Sequence, residues 1–248
     1  MKWRVIPYSE QNAHLNMAID EAVMEQVKDG GMPTIRFYGW SPSAVSIGCF
    51  QDLEDEIDLE KCRELKVDFV RRRTGGGAVY HDLDGEVTYS VIGKEENFPK
   101  NIIESYKLIC GWLQKGLEEL GLKTDFKPIN DICLNEKKIS GNAQTRRQKV
   151  LLQHGTVLYD VDVKKMFSLL KVPNEKIRDK MIQAVEERVT CIKKHGNFSK
   201  EDCYKALFKG FIEGKSYEVG QLTNEEKERA EFLARTKYST KEWNFKRE

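Results

Sequence analysis

Apolar residues recur along this chain with two different periods, and the switches between them outline its elements. Leu15, Ile19, Ala22, Val23 and Val27 fall at helical spacing and Asp29-Gly30-Gly31 stops the run, so a helix is expected between Pro7 and that stop. Thr34-Ile35-Arg36-Phe37-Tyr38 and Ala44-Val45-Ser46-Ile47-Gly48 are short β-rich runs around the turn-prone Trp40-Ser41-Pro42, and they read as a strand pair. A short helix over 58–65 leads to Asp68-Phe69-Val70-Arg71-Arg72-Arg73, then to three glycines, then to a strand over 86–92. The clearest element covers 101–120, where Ile102, Tyr106, Ile109, Leu113, Leu117 and Leu120 form one stripe and Gly121 ends it. Two further strands are expected around Lys138-Ile139-Ser140-Gly141 and Val150-Leu151-Leu152-Gln153-His154. From Val163 onward the chain turns helical, and Thr223-Asn224-Glu225-Glu226 is a capping-box pattern opening a last helix toward Arg235. Strands concentrate in the first two-thirds, with helices between and after them. That order predicts an α+β fold, a mixed and largely antiparallel sheet flanked by helices, rather than steady βαβ alternation.

Composition narrows the function classes. The 248 residues are 40% apolar, enough for a sizeable core. The 41 basic residues against 40 acidic ones give no global positive field, which argues against a nucleic-acid partner. No apolar run approaches the roughly 20 residues needed to span a bilayer. At the N-terminus, Lys2 and Arg4 are followed by Pro7 too soon for a signal peptide. A cytoplasmic protein without membrane contact is expected. Cys49, Cys62, Cys110, Cys133, Cys191 and Cys203 show neither a CxxC pair nor a histidine at metal-ligand spacing, so reduced buried thiols are the default and no metal site is assigned.

The most unusual dozen residues are Arg71-Arg72-Arg73-Thr74-Gly75-Gly76-Gly77-Ala78-Val79-Tyr80-His81-Asp82. Three adjacent glycines cost backbone entropy and offer no packing, so a sheet uses them where something needs close access to the main chain. Such a loop exposes N–H groups to an anion, and nearby arginines add charge-assisted contacts. No Gly-Lys-Ser/Thr follows, and no Rossmann helix opens here. The bland alternative is a wide turn with a solvated arginine strip. A second constellation is Asn130-Asp131, then Lys137-Lys138-Ile139-Ser140-Gly141-Asn142-Ala143-Gln144, then Gln153-His154-Gly155-Thr156. A lysine at a strand start ahead of a small-residue turn can reach into a cleft and neutralise a phosphoryl group or polarise a carbonyl. Most lysines are merely solvated, however, and His81 and His154 are at least as readily structural as catalytic.

Together the two segments resemble the catalytic domain of lipoate-protein ligases, from Asn16-Met17-Ala18-Ile19-Asp20-Glu21 to Lys237-Tyr238-Ser239-Thr240-Lys241-Glu242-Trp243-Asn244. The match is closest to the short form, in which the catalytic domain stands alone. The resemblance implies a single domain over 1–248 with the fold of biotin-protein ligases and no accessory domain. It implies a two-step reaction: lipoate and ATP, with Mg²⁺, give lipoyl-adenylate, and a lysine of an acceptor domain then takes the acyl group. By position, Arg72, Gly76, Gly77, Ala78, Val79, Tyr80, His81, Asp131 and His154 would bind nucleotide or lipoate, with Asp131 a candidate Mg²⁺ contact. Lys138 would touch both the lipoyl carbonyl and the α-phosphate. The implied partners are 2-oxoacid dehydrogenase E2 subunits or glycine-cleavage H protein, and a separate small accessory protein. A sister class, the octanoyltransferases, instead carries the acyl group on a cysteine thioester. This chain has no cysteine at 122–125 or at Asn142-Ala143-Gln144, where those enzymes place theirs, and Cys133 reads as an ordinary inward-facing thiol. The Gly-Arg-Gly-Arg loop of biotin ligases is also absent. From another class altogether comes a non-enzymatic module that binds a phosphorylated ligand.

Overall fold

The computed structural model describes residues 1–172 and 174–246. In chain order its strands are β1 (Lys2–Gln11), β2 (Thr34–Trp40), β3 (Ala44–Ile47), β4 (Asp68–Arg71), β5 (Val79–His81), β6 (Glu86–Lys94), β7 (Asp125–Lys127), β8 (Asp131–Leu134), β9 (Lys137–Arg147), β10 (Val150–Leu158) and β11 (Ser216–Val219). The helices are α1 (Ala13–Lys28), α2 (Leu53–Glu56), α3 (Leu59–Glu64), α4 (Ile102–Glu118), α5 (Val163–Leu169), α6 (Glu175–Arg188), α7 (Lys200–Ile212), α8 (Asn224–Leu233) and α9 (Lys241–Asn244). Eight strands form one sheet in the order β11-β1-β2-β6-β10-β9-β8-β7, parallel at the β11-β1-β2 end and antiparallel from β2 onward. A small sheet, β4-β3-β5, stands apart from it. This is the expected mixed, largely antiparallel α+β architecture.

The runs at 34–38 and 44–48 do form strands, but they do not pair with each other. Every residue of β2 is buried, and its two edges are taken by β1 and β6. With no edge left there, β3 pairs in parallel with β4 and antiparallel with β5. β1 and β11 were not expected at all. The burial pattern of β1 does not alternate, because Trp3, Arg4, Val5 and Ile6 in its first half are covered on both faces.

Apolar stripes decide which helix covers which face. On one face, α1 packs Met17, Val23 and Val27 against Tyr38, Trp40 and Leu152. On the other, Ile109 and Leu113 of α4 and Phe211 of α7 meet Trp3, Phe37 and Tyr89. A third cluster, with Val45, Ile47, Leu53 and Leu169, lies under the small sheet. Caps set the helix starts: Asn12 accepts from Leu15 N, Asn101 from Glu104 N, and Thr223 with Glu226 closes the expected box. The layers leave the glycine-rich turn between β4 and β5 facing β9 and β10. No helix among the described residues is long and apolar enough to cross a membrane.

Candidate functional site

The turn and those two strands enclose a cavity of about 330 Å³. Its exposed rim includes Gly76, Gly77 and Lys138, and Met17, Tyr38, Leu158, Met166, Val185 and Val189 add apolar surface to the lining. The lining thus offers main-chain groups and a cation to an anion, and apolar surface to an aliphatic chain.

Bare backbone makes the rim. Gly76 sits at φ 97°, a conformation that favours glycine, and a Cβ on Gly48 would run into the Gly76 carbonyl. Arg72, only 5% exposed, holds the turn from behind. Its guanidinium donates to the carbonyls of Gly75 and Gly77 at 2.8 Å each, and to the Ser46 carbonyl at 3.1 Å. In a trans peptide the N–H points opposite to its carbonyl, so the N–H groups of Gly76 and Ala78 turn away from Arg72. Arg72 is expected to contact nucleotide directly; the structure commits much of its guanidinium to shaping the glycine turn. Burial lowers its pKa to about 10, and it remains a cation at neutral pH.

The two expected histidines line the same cavity and are both buried. His81 has a 2.8 Å contact with Ser46 Oγ at Nε2 and another with Glu86 Oε1 at Nδ1, and its ring stacks on Trp40. The order is that of a nucleophile, a base and an orienting acid, but Ser46 is 1% exposed and its hydroxyl also accepts from Arg72 at 3.2 Å. The chain Glu86–His81–Ser46 therefore braces Arg72. His154 Nε2 lies 2.7 Å from Thr74 Oγ1, and its Nδ1 lies 3.4 Å from Asp20 Oδ2. Burial pushes the imidazole pKa down despite Asp20, leaving His154 neutral; Nδ1–H points to Asp20 and Nε2 accepts from Thr74. Burial acts to raise the Asp20 pKa, but contacts with His154, Arg36 and Ser90 win and hold it below the usual range.

Lys138 opens β9. Its Nζ is 2.7 Å from Asp131 Oδ1, and both side chains are partly exposed, at 41% and 34%. The ammonium lies across Gly141, where a Cβ would come within 2.9 Å of it. Asp131, expected at the nucleotide, is thereby the partner that aims Lys138. Upstream, Asn130 and Asn142 exchange side-chain to main-chain hydrogen bonds, fixing the approach to β8. Of the remaining expected residues, Gly76, Gly77, Ala78, Val79 and Tyr80 all line the cavity.

All six cysteines are free and buried, and none lines the cavity among the described residues. Burial raises Cys62 to about 11 and Cys110 and Cys203 to about 12. Cys133 stands opposite Lys138 in the β8–β9 register and is 8% exposed, its thiol pKa raised by burial and by Asp131. Sequence reasoning did not single out Trp40, Ser46, Val185 or Val189. A buried serine or a valine carries no local signal of a cleft; only the fold brings these four to one cavity.

A main-chain cradle, one aimed ammonium and apolar side chains thus meet in one cavity. Residues 12–212 match the lipoyl protein ligase A/B catalytic domain, and the chain belongs to that family. Among curated relatives it is similar to proteins named octanoyltransferase LipM. That of Brevibacillus brevis is 37% identical over 276 aligned positions and that of Clostridioides difficile 38% over 272, each alignment covering 99% of both chains. Among solved structures it resembles one described as a bi-partite lipoate protein ligase from Thermoplasma acidophilum, at TM-score 0.91 and 33% identity over 99% of this chain and 96% of the other. A lipoate-protein ligase A bound with ATP superposes at TM-score 0.85, with 30% identity over 99% of both chains.

Proposed function

We propose that this chain attaches an acyl group of the lipoyl or octanoyl type to a lysine of an acceptor protein domain, and that it does so through an acyl-adenylate. One observation carries the choice of route: Lys138 and the glycine cradle share a cavity into which no cysteine projects among the described residues. The acyl carboxylate would attack the α-phosphorus of ATP, presented with Mg²⁺ as substrate, and release pyrophosphate. Negative charge grows on the phosphoryl oxygens, where the Lys138 ammonium and the N–H groups of the cradle would stabilise it. The acceptor ε-amine then attacks the acyl carbonyl, AMP leaves, and the amine gives up a proton. The apolar lining would hold the acyl chain away from water.

A second reading, octanoyl transfer through a cysteine thioester without ATP, is favoured by the names of the curated relatives and by the register of Cys133 against Lys138. Against it stands the raised pKa of that buried thiol, since the thiolate is the nucleophile. The alignments also run over 276 and 272 positions, longer than the 248 residues here, so those relatives carry insertions that this chain does not.

The acceptors would be the lipoyl domain of a 2-oxoacid dehydrogenase E2 subunit or the glycine-cleavage H protein, in the cytoplasm. Mass spectrometry of such an acceptor separates the routes. Acylation should require ATP with free acid, or presynthesised acyl-adenylate, and should survive Cys133→Ser. ATP-independent transfer from octanoyl carrier protein, lost in Cys133→Ser with the acyl group trapped on Cys133 of the wild type, would install the thioester route. Activity from acyl-adenylate but not from ATP and acid would assign the first step to a separate small accessory protein.

A further inference from the structure

An acceptor lysine reaches only about 6 Å from its own backbone, so the domain that carries it must touch the elements around the cavity mouth. Three of those elements expose large apolar side chains. Phe50, 73% exposed, lies beside Gly75 of the cradle, and Ile129, 60% exposed, immediately precedes Asn130 of the rim. The third is α6, where Ile177, Met181 and Val185, followed by Val189 just past the helix end, recur every four residues on one side. Val185 and Val189 line the cavity, while Ile177 and Met181 are 39% and 41% exposed. The stripe therefore runs continuously from solvent into the site. Its inner end is tied to the reacting centre: Val189 bridges Lys138 in parallel, and Thr190 N donates to the Lys138 carbonyl at 2.8 Å.

Charge is also uneven around α6. Residues 163–194, which supply α5, α6 and the turn after them, hold nine Lys or Arg against four Asp or Glu, in a chain whose totals are 41 and 40. Asp179, Glu186 and Glu187 offset the cations of α6 itself, so the excess lies mainly on its neighbours, among them the exposed Lys164 and Lys171. Cations beside the α6 stripe would attract an acidic partner.

We infer that the apolar rim of Phe50, Ile129 and the outer stripe of α6, with the cations beside that stripe, is the docking surface for the acceptor domain. The partner is an acidic domain with a protruding lysine and a small apolar patch beside it. This rests on the acyl-transfer reading above. Apolar contact would supply affinity at the centre of the interface, and charge would mainly speed encounter.

The test uses the full chain and an unmodified lipoyl domain of a 2-oxoacid dehydrogenase E2 subunit. Calorimetry without any acyl donor reads docking alone, and steady-state transfer from presynthesised acyl-adenylate reads the reaction. Ile177→Ser with Met181→Ser, and separately Ile129→Ser, should weaken binding and raise the acceptor KM by about tenfold, with kcat and the KM for acyl-adenylate nearly unchanged. Wild-type affinity should fall as salt rises from 50 to about 300 mM. Unchanged binding in both variants would overturn the proposal. So would a KM for acyl-adenylate that rises in step, placing the stripe in the cavity wall, or a wild-type dimer that the variants dissociate, placing a second copy on it. A wild type that binds the domain but acylates it from no donor would sink the functional reading and leave the surface standing.

Discussion

At Lys138 a single ammonium is held by one carboxylate at 2.7 Å, in a pair exposed enough to contribute no more than about 1 kcal/mol to stability. Asp131 is there to aim the charge. Lys138→Ala should thus cost about 10²–10³-fold or more in pyrophosphate release from ATP and acyl acid, with the thermal midpoint scarcely moved. Lys138→Arg should fail as well, because a planar fork cannot occupy the place of a compact ammonium lying across Gly141. Near-wild-type turnover in either variant would take Lys138 out of the chemistry. His154 gives a pH signature instead. Burial lowers its folded-state pKa beneath the ordinary 6.5, so the unfolded chain takes up the proton first as pH falls. The stability it contributes is complete above about pH 6.5 and is lost progressively below it. Urea midpoints measured from pH 8 to pH 5 should show this loss in the wild type, and a flatter profile in His154→Gln. Equal slopes would mean that His154 titrates alike in both states.

The glycine turn shows what an element requires beyond its own residues. Three consecutive glycines advertise it in the sequence, but its geometry also depends on Gly48 at the end of β3, where nothing in the sequence raises suspicion. A Cβ there would meet the Gly76 carbonyl, main chain that cannot step aside as a flexible side chain could. Gly48→Ala should therefore displace the cradle and slow adenylate formation by about 10²-fold, more than its effect on folding would suggest. Measuring the pyrophosphate rate beside the thermal midpoint decides it; a rate that falls only as far as the folded fraction would make Gly48 a stability residue and nothing more. The regular helices were easier to read. The stripe of α4, and the caps at Asn101 and Thr223, are local signals, and the structure keeps them. Strand partners were not local, and the expected pairing of 34–38 with 44–48 failed because β2 spends both its edges on β1 and β6.

Over the whole molecule, the far end of the chain locks its beginning. Arg4 on β1 makes two 2.6 Å bonds to Glu226, the carboxylate of the capping box on α8, and both side chains are nearly buried. Removing one partner strands the other charge, so Glu226→Ala should cost about 3–5 kcal/mol in a urea unfolding experiment, and a loss under about 1 kcal/mol would show that water reaches Arg4. Next to the site, Arg71 donates to the carbonyls of Trp243 and Asn244, and Trp243 Nε1 donates to the Arg71 carbonyl at 2.9 Å. The same arginine run that reads as an anion site in the sequence is therefore divided by the fold: Arg71 anchors the end of the chain, Arg72 shapes the cradle, and Arg73 pairs with Glu21 of α1. By itself the sequence determined the fold class, the stripe of α4, the caps at Asn101 and Thr223 and the glycine turn, because periodicity, caps and short motifs act over a few residues. Only tertiary structure decided which arginine does what, which cysteines the cavity excludes, and that valines beyond α5 complete its wall, because edge competition among strands and burial are settled between residues far apart in the chain.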